Sequence, residues 1–270
     1  TLQEDAKLIA ADNNRFAVEL YQQLAQGNKN LFFSPFSVSS ALAMTYAGAD
    51  GKTKAEMAKV LHFGENEPVV HEGIAGIAAD LQGLAAKSLE RVKMAHKHGG
   101  SLTPLEINVA NRLFGQEGYP FLAPFLTLTE KTYGAPVELL NFGESPEGAR
   151  LRINGWVEGQ TKDRIKELIP PGVIDRDTRL VLTNAVYLKA PWAETLGEEP
   201  AAPFHVNGGE AVKVTGLVNR DRYGYLKIPG GVAVTVPYAE RGLQFVLLVP
   251  DEQNGLAALE KQLTGKVLTS

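Results

Sequence analysis

"TRLVLTNAVYLKAPW", residues 178–192, decides the fold. Apolar side chains fall on both alternating faces of this run, so it is not a strand with one wet side. It reads as a central strand covered above and below. At about 3.3 Å per residue such a strand spans roughly 40 Å, long for a globular protein. One polar residue, Asn184, stands in its middle. A buried amide there has to be hydrogen-bonded.

Upstream, "SPEGARLRINGWVEGQTKDRIKELI" (residues 145–169) opens with Ser-Pro, a helix start, and carries Ile153, Trp156, Val157 and Ile165 on one side. Its internal glycines weaken the helix, and Pro170-Pro171-Gly172 ends it. "LEINVANRLFG" (105–115) alternates, with Leu105, Ile107, Val109 and Leu113 to one face and Glu106, Asn108 and Arg112 to the other, as in a strand with one wetter face. A helical stretch after "QEGYPF" leads to a further strand in "APVELLNF" (135–142).

The first hundred residues read as helices. "DNNRFAVELYQQLA" (12–25) places Phe16, Leu20 and Leu24 on one stripe, with Asp12 as its cap. In "NLFFSPFSVSSALAMTYAG" (30–48), Ser34 before Pro35 is a cap with proline in the first turn, and Gly48 suits the stop. "AGADGKTKAE" (47–56) contains the Gly-Lys-Thr of a phosphate-binding loop. The required glycine five residues ahead of Gly51 is instead Tyr46, so nucleotide binding is not expected. Thr53 and Glu56 make a capping box, which places Lys52 in a solvated turn. Residues 72–86 are helical in spacing, and "KSLERVKMAHKHGGS" (87–101) reads as a polar linker. After residue 210, "EAVKVTGLV", "YGYLKI" and "GVAVTVPYAERGLQFVLLVP" are successive strands, and "NGLAALEKQL" starts a helix. The class is α+β.

Composition narrows the functions. Of 270 residues, 44% are hydrophobic and 21% charged, ordinary for a globular chain. With 27 basic against 31 acidic side chains the net charge is −4, so nucleic acid is not an expected partner. No apolar run reaches the roughly 20 residues of a membrane span. The start, Thr-Leu-Gln-Glu-Asp, has no signal-peptide character, so such a segment is expected to have been removed or never to have existed. Without cysteine there is neither disulfide nor thiol nucleophile. No Gly-x-Ser-x-Gly or His-Glu-x-x-His motif occurs, and an enzyme is not expected. His96 and His98 in a solvated linker lack further ligands, so no metal or cofactor is expected. Arg91, Lys93 and Lys97 read as a solvated face.

Three long colinear stretches carry a resemblance: "NLFFSPFSVSSALAMTYAGADGKTKAEM", "INGWVEGQTKDRIKELIPPGVIDRDTRLVLTNAVYLKAPW" and "VPYAERGLQFVLLVPDE". Together they are similar to the serpin family over nearly the whole chain. The resemblance implies helices packed around three β-sheets with a large central sheet, residues 1–270 forming roughly the N-terminal three quarters of a single domain. It implies a suicide inhibitor of serine or cysteine proteases whose exposed loop, once cut, inserts into the central sheet as a new strand. By position, Ser34, Ser37 and Asn184 match the family's shutter, Trp192 its breach, and Trp156 its helix F. Ser34 also suits a plain helix cap, Asn184 a satisfied core amide, and both tryptophans ordinary packing.

The chain departs from the family at Thr183, where an aliphatic is usual, and at Ala190, where a glycine is usual. The reactive loop, its hinge, the last strands and the histidine that the family places with Asn184 are absent from it. The reactive bond therefore lies outside the chain. The missing C-terminal fragment is expected as a separate polypeptide or a lost segment, and the assembled molecule as a monomer. A non-inhibitory serpin with a carrier, chaperone or storage role is the alternative. The absence of cysteine and of glycosylation sites, with Ala/Gly-rich usage, leans toward a prokaryotic source. The compartment is not fixed, with a lean to the extracellular or periplasmic side.

Overall fold

The computed structural model describes residues 2–27, 29–206 and 210–269. Helices α1 (Leu2–Leu24), α2 (Pro35–Tyr46), α3 (Gly51–Leu61) and α4 (Glu67–Lys97) lead into strand β1 (Glu106–Gln116). Helix α5 (Ala123–Tyr133), strand β2 (Glu138–Leu140), helix α6 (Pro146–Gln160) and strand β3 (Leu180–Lys189) complete the first half. Strands β4 (Gly197–His205), β5 (Ala211–Val218), β6 (Gly224–Ile228), β7 (Gly231–Pro237) and β8 (Gln244–Pro250) follow, then the short helices α7 (Leu256–Glu260) and α8 (Gly265–Thr269). Among the described residues the strands form three sheets, ordered β2-β1-β3, β4-β5 and β6-β7-β8. The α+β class and the three sheets agree with expectation.

The first sheet lies between two helices. On one face Leu113 of β1 and Leu182 of β3 pack with Met44 of α2. On the other, Phe114 and Val181 pack with Ala149 and Ile153 of α6, and Ala110 and Ala185 with Val157. β1 runs antiparallel to β3 with Asn111 opposite Asn184, and parallel to β2 through Phe114–Gln116 only. β3 is therefore covered on both faces, as its sequence requires, yet among the described residues it is an edge strand rather than a central one.

A second core gathers Ile9 and Phe16 of α1, Ala43 and Tyr46 of α2, Leu61 of α3, and Val70 and Ile74 of α4. Helices α1 and α4 approach closely at Gly73, where a Cβ would sit 2.8 Å from the Asp5 carbonyl oxygen, a distance only glycine tolerates.

Four further expectations need correction. Asp12 is no cap but lies mid-way along α1, ion-paired to Arg15 one turn on. The α3 cap is Asp50, and Thr53 is already inside the first turn. Gly51 enters that helix at φ +54°, a left-handed conformation that moves the start ahead of the Thr53–Glu56 box. Lys52 is exposed as expected, facing Glu56 at 3.6 Å. Residues 87–97 continue α4 rather than forming a linker, because Ser88 and Val92, four apart, are both buried and Ser88 Oγ accepts a hydrogen bond from the Leu105 N–H at 2.9 Å. Helix α6 ends at Gln160, ten residues before Pro170. There the Thr161 hydroxyl donates to the Val157 carbonyl at 2.8 Å and accepts from the Ile165 N–H at 3.1 Å, turning the chain out of the helix. Strand β4 has no counterpart in the sequence reading, and the helix expected at "NGLAALEKQL" is present and five residues long.

His71 of α4 is buried against α5. Its Nδ1 lies 2.6 Å from the Tyr133 hydroxyl and its Nε2 3.4 Å from Glu67 Oε1. Lys54 of α3 donates to the other Glu67 oxygen at 2.5 Å, and the Tyr46 ring of α2 lies 6.2 Å from the imidazole. Burial holds His71 below the ordinary histidine pKa, outweighing the opposing pull of Glu67. Burial pushes Glu67 up, but hydrogen bonds from Lys54 and His71 hold it below the ordinary range overall. As pH falls below about 6.5, the unfolded chain takes a proton at this histidine before the folded chain does, so stability is lost. The Glu67 contribution persists above about pH 4.5 and is lost only beneath it. The thermal midpoint should therefore fall between pH 7 and 5, and His71→Gln should flatten that slope. An unchanged slope in the variant would remove His71 as its source.

Candidate functional site

Helix α2 opens with Ser34 as its cap, the side chain accepting from the Ser37 N–H at 3.2 Å, and Pro35 in the first turn. This start lies beneath the middle of the first sheet, and Ser37 is fully buried. Asn184 of β3 points down at it. Its side-chain Nδ2 donates to the Ser37 carbonyl at 3.0 Å and also faces Ser37 Oγ and Asn111 Oδ1. The Asn111 amide then donates to Ser40 Oγ at 3.0 Å. Ser34, Ser37, Asn184, Asn111 and Ser40 thus form one polar chain between α2 and two strands.

The Asn184 amide nitrogen has two hydrogens but faces three acceptors. Its two hydrogens reach two of the three at a time, so alternative pairings of similar geometry lie within reach of the same amide. Among the described residues the Ser37 hydroxyl meets the Asn184 amide and no imidazole or carboxylate, so it serves here as a hydrogen-bonding group. Beside the cluster, β3 presents a free edge, since among the described residues it pairs with β1 alone. Such an edge accepts an added strand through main-chain hydrogen bonds.

The opposite face is held by α6. Trp156 packs edge-on to Phe114 at 5.8 Å, with the Arg112 guanidinium 5.6 Å from its ring. Asn154 clamps Ile169 from both sides, donating to its carbonyl and accepting from its N–H, each at 2.9 Å. Arg150 donates to the same carbonyl at 2.9 Å. The segment so clamped contains three non-glycine residues at positive φ: Lys162 (52°), Asp163 (59°) and Glu167 (50°). Below α6, the buried Thr183 Oγ1 has no hydrogen-bond partner among the described residues.

Ser34, Ser37 and Asn184 are therefore brought together. Trp156 lies on the sheet's other face, and Trp192 is elsewhere. It lies eight residues along from Asn184, about 26 Å if extended. There it pairs with Tyr238 in an isolated bridge, stacks on that ring at 4.6 Å and meets Phe245 edge-on at 5.7 Å. Burial raises the Tyr238 hydroxyl pKa. Among the described residues no group of three or more His, Cys, Asp or Glu is placed to hold a metal. His96 lies in α4, its Nε2 3.1 Å from the Leu102 carbonyl.

Sequence reading missed Asn111 and Ser40. The signal was present, because the period-two face of Leu105, Ile107, Val109 and Leu113 includes residue 111, and a polar residue on that face needs a partner.

Replacing Asn111 or Asn184 alone by Leu should cost about 1–3 kcal/mol, because the opposite amide is left unsatisfied. The double variant should cost less than the sum of the two. Urea unfolding of the three variants measures this, and strict additivity would show that the pair is not coupled.

Residues 11–270 match the family model described as Serpin (serine protease inhibitor). The chain is 38% identical over 266 residues to leukocyte elastase inhibitor of Bos taurus, covering 95% of this chain and 66% of that protein. It thus spans just under two thirds of that relative's length. Among solved structures, uncleaved ovalbumin aligns with TM-score 0.83 at 27% identity, over 97% of this chain and 67% of that one. A loop-inserted structure of a cleaved ovalbumin mutant aligns with TM-score 0.80 at 27% identity, over 97% and 69%. The match over all but the first ten residues, on the same helices and sheets, places this chain in the serpin family.

Proposed function

We propose that this chain is the scaffold of a serpin-type suicide inhibitor of serine or cysteine proteases, in which a cleaved reactive loop is received along the free edge of β3. The carrying observation is Asn184, an amide with more acceptors than hydrogens in the middle of a strand whose outer edge is unpaired. A strand arriving there gains a main-chain hydrogen bond at alternate residues, each worth about 0.5–1.5 kcal/mol net. Polar contacts beneath β3 can break and re-form as it shifts, whereas a packed leucine would leave a cavity. In this reading Ser34, Ser37 and Asn184 are the shutter, with Asn111 and Ser40 added to it. Trp192 marks the breach where insertion begins, and Trp156 anchors the helix that the incoming strand passes. Positive-φ residues after α6 hold strain of order 1–3 kcal/mol each, available when that segment is displaced.

The inserting loop and the strands covering the other two sheets would come from a further segment of the same serpin domain, as a second polypeptide or one lost from a longer precursor. Large apolar side chains on β4, β5, β6 and β8 support this, with Phe204, Leu217, Tyr225 and Val246 all exposed. The completed molecule would be monomeric. The vertebrate relative reported above lends no support to a prokaryotic source. A non-inhibitory serpin remains the second reading, since the hinge that separates the two classes is not among these residues.

The name of that relative makes an elastase-type serine protease the first target to try. Mixed with the natural polypeptide that carries these residues, the enzyme should form a complex that survives boiling in detergent, at a stoichiometry near one. Cleavage of the loop with release of active protease and no such complex would favour the non-inhibitory reading.

A further inference from the structure

Strand β2 covers only the last part of β1. The stretch 106–112 is paired on one side by β3, while β2 reaches only Phe114–Gln116 on the other. Along the uncovered stretch lies a cavity of about 450 Å³, within the range of small-ligand sites. Five consecutive β1 residues, 108–112, line it. Successive side chains point to opposite faces of a sheet, so a cavity touching all five abuts the strand's edge rather than a face. The far wall is α4, which offers Ala75, Ala78 and Ala79 and so leaves room. The slot continues the line of β2, whose approach segment, residues 134–136, forms its rim.

The two ends differ chemically. At one, Asn108 donates to the main-chain and side-chain oxygens of Gln160, both at 3.0 Å, closing it. At the other, Arg112 lies 3.1 Å and Arg152 2.7 Å from the single carboxylate of Glu138. Two guanidinium groups share one carboxylate, and among the described residues neither has another ion-pair partner, which leaves one positive charge over at that end.

We propose that this slot binds a short extended peptide with a free C-terminal carboxylate, added beside β1 in the line of β2. An extended main chain is the ligand whose donors and acceptors repeat with the spacing of a strand edge. The surplus charge by Arg112 sets its direction, carboxylate toward β2 and therefore parallel to β1, as β2 itself runs. Three residues span about 10 Å and fit beside 108–112. Asn111 and Ser40 also line the slot, so its occupant touches the polar chain that ends at Asn184.

The test is titration of acetyl-alanyl-valyl-alanine into the natural full-length polypeptide, followed by amide chemical shifts and calorimetry. Saturable binding at millimolar concentration or tighter is expected, with the largest shifts at residues 108–112. The C-terminal amide of the same peptide should bind several-fold more weakly, and the peptide methylated on its central nitrogen should lose binding. Ala78→Phe should fill the slot and abolish binding without lowering the thermal midpoint. If that variant unfolds, Ala75→Leu on the same wall serves, and the methylated peptide decides the matter on the unaltered chain. No saturable binding, equal binding of the methylated peptide, or binding untouched by the filled slot would each overturn the proposal. The readout needs no protease, so its failure is separable from failure of the inhibitor reading.

Discussion

Everything in the first sheet is arranged around one amide. Asn184 is half-buried, with α2 below β3 and α6 above, and an amide so placed needs hydrogen-bond partners within the protein. That requirement explains the serines at 37 and 40 of the helix beneath; the third buried serine, Ser39, turns instead to Asn13 of α1 at 2.7 Å. It also explains why the residue opposite on β1 is Asn111 rather than another aliphatic. A pair of leucines would seal the same space more simply. The two amides instead tie β1, β3 and α2 together, Asn184 donating to Asn111 and to Ser37, and Asn111 to Ser40.

The two faces of the sheet are secured by different means. On the α2 side the polar chain is flanked by the well-packed Met44, Leu113 and Leu182. On the α6 side the packing is apolar, but the segment following the helix is held by directed bonds, with the Asn154 amide and the Arg150 guanidinium converging on Ile169. Those bonds keep Lys162, Asp163 and Glu167 in a backbone conformation that side chains disfavour. Freed from Asn154, that stretch would relax toward ordinary backbone angles. The helix is thus fixed on the sheet by its apolar side and by the bonds of Asn154 and Arg150 to Ile169.

Much of this was legible in residue order. The Ser34-Pro35 cap, the two-faced strand at 180–189 and the strand succession after residue 210 follow from period and turn chemistry. What was missed follows from tertiary contacts overriding local signals. Residues 87–97 look like a linker because seven of the eleven are polar, yet Ser88 and Val92 are enough to bury one stripe and continue the helix. β4, with Pro200 and Pro203, lacks strand propensity and forms by pairing with β5 across an irregular register. Trp192 could be placed at a strand end from sequence, but its stacking on Tyr238 joins segments 46 residues apart and has no local signature. Asn111 was within reach, since the alternation that identified the strand also put an amide on its apolar face.

Thr183 and Asn184 show the balance most directly. They are neighbours in β3 and point to opposite faces. The amide on the α2 side has more acceptors than it has hydrogens, while the hydroxyl on the α6 side is buried with none. An unpaired buried hydroxyl costs about 1–3 kcal/mol, and an aliphatic of similar shape would avoid that cost. The strand therefore carries an excess of partners below and a deficit above. A displacement of α6 that let water or another polar group reach Thr183 would relieve the deficit, while the surplus beneath lets Asn184 tolerate the same movement. In the proposed reading, both imbalances lower the cost of moving β3 relative to its two helices.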